Sequence, residues 1–146
     1  MRSAFRTVLA ILSVASLAPA VVAAAAPVIK YYPRANKPFS SAIRIGNQVF
    51  ISGVVGTAAD GTMPTDFGIQ ATNTMDAVAK NLKLAGATMD DVYECTIVLT
   101  NMDNWAAFNA VYVKYFKPDR FPVRISFGAT DLRGASVEVQ CEAFIR

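Results

Sequence analysis

Two charged residues interrupt apolar runs near the end of the chain. Arg124 lies within Phe121-Pro122-Val123-Arg124-Ile125-Ser126-Phe127, and Glu138 lies between Val137 and Val139. A guanidinium in apolar surroundings is costly unless an anion meets it, and its planar fork suits a carboxylate through two parallel hydrogen bonds. Arg124 is therefore a candidate clamp for a substrate carboxylate, and Glu138, on a neighbouring strand, a candidate general acid or base. The competing reading places both charges on the solvent side of an amphipathic sheet, paired with each other, and the strand pattern alone favours it.

Other chemistry is narrowed by what the chain lacks. It has no histidine, which removes Ser-His-Asp and Cys-His mechanisms and histidine-based zinc sites. No Gly-rich phosphate loop and no CxxC is present. Asp90-Asp91, between a helix stop and a strand, reads as a solvated turn. Trp105, Phe108, Tyr112 and Tyr115 recur at helical spacing, which fits core or subunit packing better than a base-stacking platform. The two cysteines, Cys95 and Cys141, both fall in predicted strands, where a disulfide and buried free thiols are equally open.

The elements that must carry these residues follow from patterning. After a Pro-containing lead-in, Ser40 to Gly53 reads as two short strands joined at Gly46-Asn47, a pair suited to a tight hairpin turn. Residues 54–66, rich in Gly, Thr and Asp, read as a loop. Asp66 caps a helix whose face runs through Ala71, Met75, Val78, Leu82 and Ala85, with Gly86 as its stop. Residues 91–100 form a β-branched strand, and Asn101 or Asp103 starts a second helix that Pro118 and Pro122 end. Two strands, about 123–127 and 136–144, flank a turn at Arg133-Gly134. The order β-β-α-β-α-β-β predicts an α+β domain: a single mixed sheet with two helices packed on one face.

The 146 residues, 53% hydrophobic, are enough for one domain with a packed core. Arg2 and Arg6, an apolar stretch to about Val22 and an alanine run predict a signal peptide over residues 1–26, leaving a domain over 27–146. The expectation is an exported protein, periplasmic or secreted, with no membrane association after cleavage. Of the 14 Lys+Arg, two lie in that leader, so the remainder exceeds the 11 Asp+Glu by about one. Such a balance gives no electrostatic footprint for nucleic acid.

The runs PFSSAIRIGNQVFISG, AVAKNLKLAGATMDDVYECTIVLTNMDNWAAFNAVYVKYF and FPVRISF followed by GASVEVQCEAF resemble the reactive-intermediate deaminase family, the Rid or YjgF-like proteins. The similarity spans nearly the whole chain after about Pro38. It implies a homotrimer of chorismate-mutase-like α+β subunits with clefts at the subunit interfaces. It also implies hydrolysis of enamines and imines, such as 2-aminoacrylate and 2-iminobutyrate, to 2-keto acids and ammonia, without metal or organic cofactor.

Carried over by position, Arg124 matches the arginine that holds the substrate carboxylate and Glu138 the glutamate that handles the attacking water. Ser52 and Gly53 match the family's Ser-Gly at the cleft, with Ser52 counted among the catalytic residues, and Asn109 matches an asparagine near it. Phe39 stands where many members have tyrosine, Ser126 where a cysteine is common, and Val54-Val55 where a glutamine often follows the Ser-Gly. These departures bear on substrate choice more than on reaction type. The alternative function is a trimer that binds a small carboxylate or metabolite in the same cleft without turnover.

Overall fold

The computed structural model describes residues 25–146; the predicted signal peptide lies almost wholly outside them. The first strand, β1 (Ile29–Pro33), pairs with β2 (Ser40–Ile45), which turns at Gly46 into β3 (Gln48–Ile51). A two-residue strand, β4 (Val54–Val55), precedes α1 (Phe67–Leu84), then β5 (Val92–Leu99), α2 (Trp105–Tyr112), β6 (Val123–Gly128) and β7 (Val137–Phe144). The sheet runs β1-β2-β3-β7-β5-β6, with β4 also paired to β7. All pairings are antiparallel except β5 with β6, whose parallel register requires the crossover that α2 supplies.

The result is the expected α+β architecture, two helices and one mixed sheet, with two corrections to the strand order. The lead-in forms β1, and the loop expected over residues 54–66 begins with β4. β1 was hidden because it is an edge strand ending in a proline and exposes most of its side chains, so it shows little periodic burial. β4 is too short to show a period at all.

α1 begins where Asp66 accepts from the Ile69 amide at 2.8 Å and ends at Gly86, whose φ of 85° is the left-handed conformation of a helix stop. Its stripe of Ala71, Met75, Val78 and Leu82 is fully buried and meets Val49, Ile51, Ile97, Val137 and Val139 from one face of the sheet. Full burial of each larger side chain is worth roughly 1.5–3 kcal/mol. Cys95 of β5 and Cys141 of β7 are directly paired residues in that face, 4.1 Å apart at Cα, and form a disulfide.

The second helix is shorter than predicted. Asn101 accepts from the Asp103 amide at 2.9 Å and starts a 3₁₀ turn, Met102–Asn104, that leads into α2. Beyond Tyr112 the chain tightens into a further 3₁₀ turn, Val113–Tyr115. Asp90 and Asp91 lie in a third 3₁₀ turn, where Asp91 caps Thr88 and Asp90 meets Lys117 at 2.6 Å, holding its carboxyl below the usual carboxylate range.

Gln70 ties the core to the loop. Its amide donates to the Pro64 carbonyl and accepts from the Ser136 amide, each at 2.6 Å, which anchors both the loop before α1 and the start of β7.

Candidate active site

Strand parity decides where the two charges point. Arg124 is registered with Cys95, and Ser126 with Ile97, both fully buried under the helices, so Arg124 and Ser126 project to the helix side of the sheet. Glu138 lies between Val137 and Val139, both buried on that same helix side, so Glu138 projects to the opposite face. Within one chain the two do not share a cleft, and the reading of a surface ion pair between them is overturned. The candidate residues instead fall into two halves.

One half lies between β6 and α2. The Arg124 guanidinium carbon sits 5.0 Å from the ring centre of Trp105 and 5.0 Å from that of Tyr112, and its side chain makes no hydrogen bond or ion pair among the described residues. Asn109 lies on the same helical stripe, four residues after Trp105 and three before Tyr112. Asn109 Oδ1, Tyr112 OH and Ser126 Oγ are buried without a hydrogen-bonding partner among the described residues. Burial pushes the Tyr112 phenol up to about 12 against the opposing pull of Arg124, so it stays neutral. The two elements that carry the unpaired guanidinium, β6 and α2, thus also carry three buried polar atoms that lack a described partner, and buried polar groups call for one.

The other half lines an open cleft of about 1020 Å³ that includes Phe39, Gly53, Asp76, Lys80, Arg133 and Glu138. Val55 of β4 is registered with Glu138, which brings Gly53 against the Glu138 carboxylate; a Cβ on Gly53 would overlap Oε1 and lie 3.0 Å from Cδ. This close approach explains glycine at position 53. The Ser52 hydroxyl donates to the Ser40 carbonyl at 2.7 Å and its amide to the Ser41 carbonyl at 3.1 Å. Its proton is thus committed to the backbone, and Ser52 serves to pin the strand end that presents Gly53. Phe39 is exposed, with Arg34 5.8 Å from its ring centre.

At the cleft wall Asp76 accepts from Tyr115 OH at 2.7 Å; burial and that bond together push the Tyr115 phenol up. Sequence reasoning passed over Trp105 and Tyr112 as site residues because aromatic residues at helical spacing are ordinarily core. The available signal was their spacing around Asn109.

The family model described as Endoribonuclease L-PSP matches residues 29–145. Among curated relatives, the chain is 33% identical over 112 residues to a RutC family protein of Escherichia coli K12, covering 76% of this chain and 86% of that one. It is 29% identical over 114 residues to a 2-iminobutanoate/2-iminopropanoate deaminase of Capra hircus, covering 76% and 82%. A crystal structure of a conserved Rid-family protein from Yersinia pestis superposes with a TM-score of 0.74 at 28% identity, covering 81% of this chain and all of the other. A helix-backed mixed sheet, the two-sided placement of Arg124 and Glu138 and a family match over almost the whole described chain converge: the protein belongs to the Endoribonuclease L-PSP family, the Rid group of YjgF-like proteins.

Proposed function

We propose that this protein is an exported homotrimeric deaminase that hydrolyses small 2-imino acids, of the 2-aminoacrylate and 2-iminobutanoate class, to 2-keto acids and ammonia. The observation that carries this reading is the unpaired Arg124 guanidinium on one face of the sheet and the Glu138 carboxylate, pressed against Gly53, on the other. In a trimer each cleft takes Arg124 from one subunit and Glu138 from its neighbour. An apolar strip on the outer face of edge strand β6, with Val123, Ile125 and Phe127 at 68%, 57% and 48% exposure, favours such association. A deaminase name on a relative of similar length is consistent with the activity.

The chemistry follows from the residue types. Arg124 would hold the substrate carboxylate through two N–H donors, with Asn109 and Ser126 available for the remaining polar atoms. The protonated imine carbon is already electrophilic, so the site needs to orient a water and move protons. Glu138 would take one proton as water attacks C2 and return it to nitrogen; as the C–N bond breaks, the remaining hydroxyl proton of the carbinolamine passes by way of the same carboxylate to the departing ammonia, giving the keto acid and ammonium. The loss of a phenol at Phe39 leaves that wall apolar and bears on which side chain the substrate carries.

Export rests on the leader pattern and on the buried Cys95–Cys141 disulfide, a bond that persists in oxidising compartments. The test is release of ammonia and keto acid from enzymatically generated imino acids, with Arg124→Ala beside the parent. Loss of turnover in Arg124→Ala is expected, and equal rates would remove the proposal. Carboxylate binding at Arg124 without turnover of any imino acid would identify a binding protein instead.

A further inference from the structure

We propose that Trp105 and Tyr112 are positioning residues whose ring faces seat the Arg124 guanidinium while leaving its N–H donors free for a carboxylate. The inference rests on the reading of Arg124 as the carboxylate clamp and adds the means by which that clamp is held.

An arginine on an edge strand, with its side chain at the rim of the sheet, would ordinarily sample many rotamers unless something fixes it. The usual partner is a carboxylate, which would occupy the donor fork and cancel the charge needed for an incoming anion. Here no carboxylate meets Arg124 among the described residues; the groups around it are two aromatic rings at 5.0 Å. Aromatic faces attract a cation through the ring quadrupole and leave the in-plane N–H groups unengaged. Trp105 opens α2 and Tyr112 closes it, two turns apart, and the guanidinium carbon lies over both rings at 5.0 Å, so the two side chains share one cation.

The seat is itself anchored. Tyr112 is 3% exposed and its ring continues a stack with Phe108 at 5.6 Å and Phe116 at 4.7 Å, residues of the main core. Trp105 is half-buried and packs on the edge of the same core. The Tyr112 hydroxyl meets no described partner, so its ring rather than its oxygen engages Arg124. Asn109 lies between the two aromatic residues on the stripe, and its Oδ1 is buried without a described partner.

Trp105 is the only tryptophan in the chain, so its emission reports directly on events at Arg124. The experiment titrates the protein with 2-oxobutanoate, a stable carboxylate, following tryptophan emission and calorimetric heat, and measures KM and kcat for 2-iminobutanoate. Trp105→Leu is expected to weaken 2-oxobutanoate binding and raise KM about tenfold with kcat little changed, because ground-state and transition-state binding lose the same contact. Trp105→Phe restores most of that affinity, and Tyr112→Phe, which keeps the ring, recovers most of what Tyr112→Leu loses. Calorimetry serves the variants that lack tryptophan. Wild-type affinity and KM in Trp105→Leu would overturn the proposal, and that variant decides alone if Tyr112→Leu does not fold. Unchanged binding and turnover in Arg124→Ala would instead defeat the clamp reading beneath it.

Discussion

Gly53→Ala separates the position of the Glu138 carboxylate from the stability of the fold. A Cβ at Gly53 would overlap Glu138 Oε1 and lie 3.0 Å from Cδ and 3.3 Å from Cγ, whereas carbon contacts settle at roughly 3.5–4.0 Å. The obstructing atoms are the end of a flexible side chain, so the carboxylate swings aside and the backbone stays. Rotating Glu138 off its preferred rotamer costs about 0.5–1.5 kcal/mol, which the lower unfolded-state entropy of alanine offsets by about 0.4–1 kcal/mol. Net stability therefore changes by less than about 1 kcal/mol. Displacing an acid-base group by about 1 Å costs on the order of 100-fold in rate, equivalent to about 2.7 kcal/mol of barrier. The assay is ammonia release from 2-iminobutanoate beside a denaturant melt of the same preparation. An intact melt with kcat/KM down about 100-fold is expected. Full activity in a folded Gly53→Ala protein would refute the role given to Glu138, and a fall in stability large enough to explain the loss would make Gly53 a packing residue only.

Removing both thiols in Cys95→Ala/Cys141→Ala opens a loop with a sequence separation of 46 and is expected to lower unfolding free energy by about 4 kcal/mol in urea titrations; a change under about 1 kcal/mol would contradict it. Gln70→Leu leaves the Pro64 carbonyl and the Ser136 amide without their partner and should cost about 1–3 kcal/mol, measured the same way. Tyr93 donates to Glu142 at 2.6 Å, and that bond lifts its phenol from 10.0 to about 12. Because the folded value is the higher one, its contribution is complete below pH 10 and disappears as pH rises through about 12. Tyr93→Phe should therefore flatten the alkaline fall in melting temperature, and an identical slope in both proteins would argue against it.

Much of the fold was legible because local signals agreed. The 3.6-residue stripe of α1, the Asp66 cap, the Gly86 stop and the turn at Gly46 all correspond to structure. β1 escaped because an edge strand pairs on one side only and need not alternate, and β4 because two residues carry no period. At the site, charges within apolar strands singled out Arg124 and Glu138, but their faces could not be read from either strand alone. Val123, Ile125 and Phe127 are apolar yet point away from the helices, so the apolar face of β6 is the one Arg124 does not share, the reverse of what burial against the helices would suggest. Register with β5 settles the matter, and register is a property of the assembled sheet. The aromatic seat was equally hidden, since a ring that holds a cation and a ring that fills a core have the same spacing on a helix.

Placement of Arg124 and Glu138 on opposite faces makes subunit complementation the most direct measurement of the central claim. Arg124→Ala and Glu138→Ala proteins are each expected to be inactive, since every cleft then lacks one half. Unfolded together in equal amounts and reassembled, the two should recover about a quarter of wild-type deaminase activity, because a randomly formed trimer gives that share of clefts both intact halves. Recovery near that level would establish a site built from two subunits. No recovery in verified mixed trimers, with each parent variant folded and inactive, would contradict it.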